Sequence, residues 1–217
     1  PDGVGFVAER GCRHEADLLL ALLGRDLLTR HPGAKIVFDV KSSQVLVDDI
    51  TRHGGQPVMW KTGHSHLKRK MREDGILLGG EVSGHMFFGE NWYGVDDGIL
   101  ASCRFLQLVA GDTRPASAHF DTLPHLYSTP ELKAPCPDDK KFALVAELAR
   151  EFKGRYESID IDGVRIKFPE GWGLLRASNT NPYLTLRFEG RTAAAVEQMQ
   201  GIVYDALRRY PYVTLPS

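Results

Sequence analysis

Residues 35–60 read KIVFDVKSSQVLVDDITRHGGQPVMW, and this stretch decides the fold of the first part of the chain. Lys35 to Val40 is an apolar run of strand length, and Val58 to Trp60 is a second one. Between them, residues 42–53 carry apolar side chains at helical spacing and end at a Gly-Gly pair. A strand, a helix and a second strand in this order predict a layered α/β domain.

The same alternation continues on both sides of this stretch. Leucine and alanine recur at helical spacing over 16–30, and further helices are predicted over 65–73 and 96–109. Short apolar runs at 76–78 and 86–88 flank a glycine-rich turn, as two strands do. The first part of the chain is therefore predicted to hold one α/β domain.

The pattern changes between residues 113 and 138, where prolines and small residues interrupt any apolar period. This segment is predicted to be a linker or an extended crossing segment. The elements predicted beyond it are helices over 140–152 and 191–209, a hairpin over 159–168 that turns at Asp162-Gly163, and strands around Leu174 and over 183–188. That order predicts a small α+β domain.

The composition excludes several classes of protein. A hydrophobic fraction of 42% in 217 residues can build real cores, which excludes global disorder. Lys and Arg total 27 against 28 Asp and Glu, and this balance argues against a nucleic-acid or membrane-surface protein. No apolar stretch approaches the ~20 residues of a membrane span. We expect neither nucleic acid nor membrane as a partner.

Cys12, Cys103 and Cys136 are few, odd in number and free of any Cys-x-x-Cys pair. They are interpreted as reduced thiols of a cytoplasmic protein. The chain begins at Pro1 with neither an initiator Met nor a signal-peptide pattern, so we expect it to be part of a longer protein.

The turn Gly-Gly-Glu-Val-Ser-Gly-His, residues 79–85, is the first candidate site. Glycines let a ligand approach the backbone closely, and an extended segment would aim Glu81 and Ser83 to the same side. A carboxylate beside a hydroxyl suits the vicinal diol of a sugar, and His85 could move a proton near neutral pH. The alternative is a hairpin whose polar residues face water.

The turn Arg-Ala-Ser-Asn-Thr-Asn-Pro, residues 176–182, is the second candidate site. A guanidinium, hydroxyls and turn N–H groups within a few residues form a cradle for phosphate oxygens. The alternative is a polar turn closed by its own side-chain hydrogen bonds.

The basic stretch 60–72, WKTGHSHLKRKMR, is the third candidate. Its later lysine and arginines fit a solvated helix face. Gly63 and His64, however, follow a strand and precede a helix, where ligands bind in open α/β sheets. Lys41 holds the equivalent place after the strand at 35–40, and the alternative for it is a surface lysine in a loop.

These motifs resemble, in sequence order, those of the α-D-phosphohexomutases. Glu81–His85 (EVSGH) is similar to the sugar-binding loop of that family, and Arg176–Thr180 (RASNT) to its C-terminal phosphate loop. WKTGHS at 60–65 and WYGVDDG at 92–98 match as well. The resemblance covers nearly the whole chain and lies nearest to the bacterial phosphomannomutase/phosphoglucomutase group.

The resemblance implies a mixed-sheet α/β/α domain followed by a small TATA-binding-protein-like α+β domain. Residues 1–11 would be the tail of a preceding metal-loop domain, 12–124 the sugar-binding domain and 125–217 the phosphate-binding domain. The family moves phosphate between the 1- and 6-positions of a hexose through a bisphosphorylated intermediate. A phosphoserine and Mg²⁺, both in preceding domains, serve that reaction, and glucose 1,6-bisphosphate is its activator. The implied partners are hexose phosphates and the N-terminal domains of the parent enzyme.

The resemblance also implies a role for each candidate residue. Glu81 and Ser83 would bind sugar hydroxyls, Lys41 and His64 the sugar phosphate, and His85 would be catalytic, assisting proton transfer. The phosphate that does not react would be held by residues of the C-terminal loop: Arg176, Ser178, Asn179 and Thr180. We expect the acidic loop and the cationic loop to face a common hollow.

The start of the chain departs from the family pattern. Asp2 matches only the last residue of the aspartate loop, and Gly3 stands where the family has an arginine that contacts substrate. A lone carboxylate is a poor magnesium site, and the sequence contains no match to the phosphoserine loop, so this chain is expected to show no turnover alone. The alternatives are a non-catalytic sugar-phosphate-binding module, an inactive remnant, or a phosphoglucosamine mutase.

Overall fold

The computed structural model describes residues 3–216, and the chain divides into two compact units, Pro1–Pro124 and His125–Ser217. The first unit contains helices and strands in alternation. Its helices are α1 (Ala16–Arg30), α2 (Gln44–Arg52), α3 (His64–Asp74), α4 (Gly98–Ala110) and α5 (Ala116–Phe120). Its strands are β1 (Phe6–Val7), β2 (Arg13–His14), β3 (Lys35–Asp39), β4 (Gln56–Trp60), β5 (Leu78–Gly80) and β6 (Met86–Phe88).

The main sheet of the first unit has the strand order β4–β3–β5–β6. β3 is parallel to both β4 and β5, whereas β5 and β6 are antiparallel, so the sheet is mixed as predicted. Helix α3 covers one face, where Leu67 and Met71 pack on Val37. Helix α1 covers the other face, since Leu20 lies against Gly80. The predicted α/β/α layering is confirmed.

The second unit is an antiparallel sheet with helices on one face. Its elements are β7 (Tyr127–Ser128), β8 (Leu132–Pro135), α6 (Asp138–Lys153), β9 (Ser158–Ile159), β10 (Val164–Phe168), β11 (Gly171–Ala177), β12 (Tyr183–Gly190) and α7 (Ala193–Arg208). The strand order is β7–β12–β11–β10–β9, and β8 also pairs with β12. One core cluster joins α6 and α7 to the sheet, including Leu148, Phe152, Phe188 and Val203. This is the predicted α+β class.

The segment 113–138, predicted to be a linker or an extended crossing segment, does contain the boundary between the two units, after Pro124, but it also contains regular structure. The segment contains helix α5 and strand β8, which pairs with β12 through Ala134 and Leu184. Pro115 precedes the first turn of α5, where a missing N–H costs nothing. β8 pairs on one side only, and such an edge strand tolerates proline. Prolines of this segment therefore occur within folded structure, at a helix start and on an edge strand.

Candidate functional site

The carboxyl ends of three parallel strands bring the first group of candidate residues together. β3 lies between β4 and β5, so the segments that follow these strands leave the same edge of the sheet. Lys41 follows β3, Gly63 and His64 follow β4, and Glu81 follows β5. Ligands of open α/β sheets bind at this edge. The fold therefore assembles these residues from separate parts of the sequence.

Glu81 is a buried carboxylate that is held by two hydrogen bonds. Glu81 is 5% exposed, and its Oε1 accepts a hydrogen bond from the N–H of Gly63 at 2.6 Å. The hydroxyl of Ser83 donates to Oε2 at 3.3 Å. The two side chains meet because Gly84 N–H closes a turn onto the carbonyl of Glu81, at 3.0 Å. The expectation of an extended segment is wrong, because this turn brings them together.

Asp39 is a buried carboxylate that contacts residues next to the site, and it was not predicted from the sequence as a site residue. It is fully buried and accepts hydrogen bonds from Ser42 Oγ at 3.0 Å and from Thr62 Oγ1 at 3.4 Å. The ammonium of Lys41 lies 3.8 Å from its Oδ2. Lys41 is only 9% exposed, so the alternative of a surface lysine is wrong. A carboxylate that ends a buried apolar strand was the available signal.

Two histidines, His64 and His85, lie near the Glu81 carboxylate. His64 is the first residue of α3 and is exposed, and its ring centroid lies 6.5 Å from that of His85. The Nδ1 atom of His85 lies 2.5 Å from Oδ2 of Asp96. His85 and Lys41 both attract the Glu81 carboxylate electrostatically. The structure thus collects Lys41, His64, Glu81 and His85 in one place, with Ser83 at its exposed rim.

Burial raises the pKa of Glu81 above its ordinary value, and the negative charge of Asp39 raises it further. The N–H of Gly63 and the charges of Lys41 and His85 act in the opposite direction and only partly compensate. The carboxylate is consequently ionised in the folded protein at a cost. A ligand that donates hydrogen bonds to it would recover part of that cost.

We expect Glu81→Gln to gain stability relative to the wild type as the pH rises. The folded wild type must ionise a carboxyl whose pKa is raised, whereas glutamine is neutral and keeps an acceptor for Gly63. The gain should start above the ordinary pKa of glutamate in the unfolded chain and level off above the raised folded pKa. Urea unfolding of both proteins from acidic to alkaline pH measures it. A stability difference that does not change with pH would contradict the prediction.

The second group of candidate residues lies in the second unit, where β11 turns into β12. Arg176 is the penultimate residue of the buried strand β11, is 6% exposed and donates from Nε to Asp162 Oδ2 at 3.1 Å. Ser178 is 5% exposed, and its Oγ accepts N–H groups of the turn at 3.4 and 3.2 Å. Asn179 and Thr180 are exposed. The turn therefore uses its own hydrogen bonds, as the alternative states, and still presents polar groups to solvent.

Lys141 of α6 fixes this turn, a role that no sequence pattern indicated. It is 3% exposed, and its ammonium donates to the carbonyl of Asn181 at 2.8 Å and to Asp138 at 2.5 Å. A buried charge is costly unless it is paired and hydrogen-bonded, so these contacts hold the lysine in place. The loop from Arg176 to Asn181 is thereby tied to helix α6 at one end and to Asp162 at the other.

The predicted metal residue, Asp2, lies outside the described residues. Within residues 3–216, no three His, Cys, Asp or Glu side chains lie close enough together to form a metal site. The side chains of residues 3–216 therefore do not by themselves fit a magnesium ion. In the same range, no helix has the length and apolar character needed to cross a membrane.

Comparisons with known proteins identify both units. Residues 15–127 match the family described as "Phosphoglucomutase/phosphomannomutase, alpha/beta/alpha domain III". Residues 131–206 match "Phosphoglucomutase/phosphomannomutase, C-terminal domain". The two matches follow each other in the order that the resemblance of the loops implies.

Individual relatives agree with these matches. A phosphomannomutase/phosphoglucomutase of Pseudomonas syringae is 45% identical over 99% of this chain, which spans 47% of that protein. A crystal structure of a family protein from Burkholderia thailandensis matches the whole chain and 46% of its own, with 40% identity and a TM-score of 0.91.

A more distant structure shows the same fold. It is the Aspergillus fumigatus N-acetylphosphoglucosamine mutase in complex with GlcNAc-6P and magnesium, with 16% identity and a TM-score of 0.64. It covers 94% of this chain and 46% of its own. The chain thus spans about half the length of the relatives it matches. By its sequence and by its fold, this chain belongs to the phosphoglucomutase/phosphomannomutase family.

Proposed function

We propose that this chain supplies the sugar- and phosphate-binding half of a phosphohexomutase that interconverts the 1- and 6-phosphates of mannose and glucose. The observation that carries the proposal is the buried Glu81 carboxylate, held by Gly63 N–H beside the exposed Ser83 hydroxyl. Family membership supports the proposal. The Aspergillus fumigatus structure with the same fold is described as a complex with magnesium.

The loop around Glu81 has the chemistry to bind a sugar. A carboxylate accepts hydrogen bonds from two neighbouring hydroxyls, and Ser83 can donate or accept beside it. Lys41 and His64 supply cationic or donor groups for a phosphate at the same strand edge. We assign Glu81 and Ser83 to sugar hydroxyls and Lys41 and His64 to the sugar phosphate.

The turn at 176–180 has the chemistry to bind the phosphate that does not react. Asp162 engages Arg176 through Nε, and the terminal guanidinium nitrogens can bind anionic oxygens. Ser178, Asn179 and Thr180 add hydroxyl and amide groups. Because a bisphosphorylated intermediate must present either of its phosphates to one serine, this cradle must recognise the phosphate rather than the carbon that bears it.

The proposed reaction conserves atoms and charge. A hexose hydroxyl oxygen bonds to the phosphorus of a phosphoserine while the bond from phosphorus to the serine oxygen breaks. The serine oxygen leaves with the bonding electron pair, and the hydroxyl proton passes to His85 and from there to the serine oxygen. Glucose 1,6-bisphosphate would supply the bisphosphorylated intermediate and prime the serine.

A coupled mutase assay tests this proposal. With Mg²⁺, glucose 1,6-bisphosphate and mannose 1-phosphate, we expect no turnover from the chain alone and turnover when the N-terminal half of a family enzyme is supplied. Turnover by the chain alone would contradict the assignment of the phosphoserine to the other half.

A non-catalytic sugar-phosphate-binding module is the second candidate, because the groups at Glu81 and Arg176 can bind hydroxyls and phosphate without taking part in a reaction. Hexose phosphate binding with no turnover in the presence of a functional N-terminal half would favour that module. Calorimetry that compares glucosamine 6-phosphate with mannose 6-phosphate separates the phosphoglucosamine alternative, which predicts tighter binding of the amino sugar.

A further inference from the structure

Asp96 and His85 form the shortest charged contact at the candidate sugar site. Nδ1 of His85 lies 2.5 Å from Oδ2 of Asp96, and the side chains are 26% and 10% exposed. The backbone holds them together, since Asp96 forms an antiparallel bridge with Phe87 and the N–H of Asp97 donates to Met86 O at 3.3 Å. The contact is therefore part of the fold around β6.

This contact determines which nitrogen of His85 carries the proton. An ionised carboxylate only accepts hydrogen bonds, so Nδ1 must be the protonated nitrogen of the neutral ring. The lone pair is then on Nε2, the ring nitrogen that is not hydrogen-bonded to Asp96. When Nε2 takes a proton, the imidazolium charge is balanced by the carboxylate beside it.

We propose that Asp96 is a positioning residue that sets the tautomer and orientation of His85, so that Nε2 accepts the proton of a hexose hydroxyl. The inference rests on the proposed function and deepens it. In this step the hydroxyl O–H bond breaks, an N–H bond forms at Nε2, and the oxygen keeps the electron pair.

The neighbouring residue provides a matched control. Asp97 caps α4, where its Oδ1 accepts the N–H of Leu100 at 2.9 Å. Asp97→Asn removes the same charge as Asp96→Ala and keeps a good cap residue. Any effect of net charge or of the loop between β6 and α4 should therefore appear in both variants, whereas loss of the contact to His85 appears only in Asp96→Ala.

Nitrogen-15 NMR of the histidine-labelled chain is the direct test, recorded as the pH is raised until the ring signals stop changing. We expect the Nδ1–H form of His85 in the wild type and in Asp97→Asn, and a change toward Nε2–H in Asp96→Ala. An Nε2–H wild type, or a tautomer that Asp96→Ala leaves unchanged, would overturn the inference.

Turnover and binding separate this inference from the proposed function. In the enzyme completed with its N-terminal half, Asp96→Ala should lower kcat about 10- to 100-fold with little change in KM. Unchanged kcat would overturn the positioning role while leaving the proposed function intact. Failure of the wild-type chain to bind any hexose phosphate in calorimetry would instead defeat the proposed function.

Discussion

Arg176→Ala is expected to weaken the binding of mannose 1-phosphate by about 100-fold, since charge-assisted hydrogen bonds contribute about 1.5–3 kcal/mol each. Arg176 is 6% exposed and its Nε is held by Asp162 at 3.1 Å, so the guanidinium is preorganised for an anion. Its removal also leaves the Asp162 carboxylate beside the ligand phosphate without its cation. Lost attraction and added repulsion act in the same direction.

Isothermal calorimetry with mannose 1-phosphate measures this loss. Arg155→Ala is the matched control, because it removes the same charge from an exposed guanidinium that pairs with Glu151. Arg176→Lys should fall between the two, since it keeps the charge and loses the planar fork. Equal affinity of the wild type and Arg176→Ala would remove the phosphate cradle from the proposal.

The strongly periodic elements were predictable from the sequence. The helix over 16–30 is found at Ala16–Arg30, and the hairpin that turns at Asp162-Gly163 is found as β9 paired with β10. In these segments the local pattern and the tertiary burial agree. The segment 113–138 was not predictable in this way, because α5 has five residues and β8 has four. Elements this short depend on a partner strand or helix that is remote in sequence.

The candidate site shows the same division. The loops at 79–85 and 176–182 could be found because their glycines and polar residues interrupt apolar runs. Lys141 and Asp162 could not be assigned, since each acts on a residue that sequence spacing does not identify. Lys141, for example, reaches Asn181 from 40 positions away. A sequence can therefore indicate which residues meet a ligand more readily than which residues hold them in place.

Gly163→Ala is expected to destabilise the second unit by roughly 2–5 kcal/mol, combining a left-handed backbone and overpacking. Gly163 has φ +76°, in the region that favours glycine, and a Cβ there would lie 2.3 Å from the carbonyl oxygen of Leu175. It would also lie 2.6 Å from Cβ of Arg176. Neither neighbour can move far, because both belong to the buried strand β11.

Urea unfolding measures that loss, and Gly201→Ala is its control in the same unit. Gly201 lies within α7, and a Cβ there would meet no atom of the described residues within 4 Å apart from its chain neighbours and the local helix backbone, so alanine should stabilise the helix by about 0.5–1 kcal/mol. The turn at Gly163 also places Asp162 against Arg176, and folded Gly163→Ala should therefore bind mannose 1-phosphate more weakly than folded Gly201→Ala. Equal stability of the two variants would show that the turn relaxes without strain, and equal affinity would show that Asp162 does not position the guanidinium.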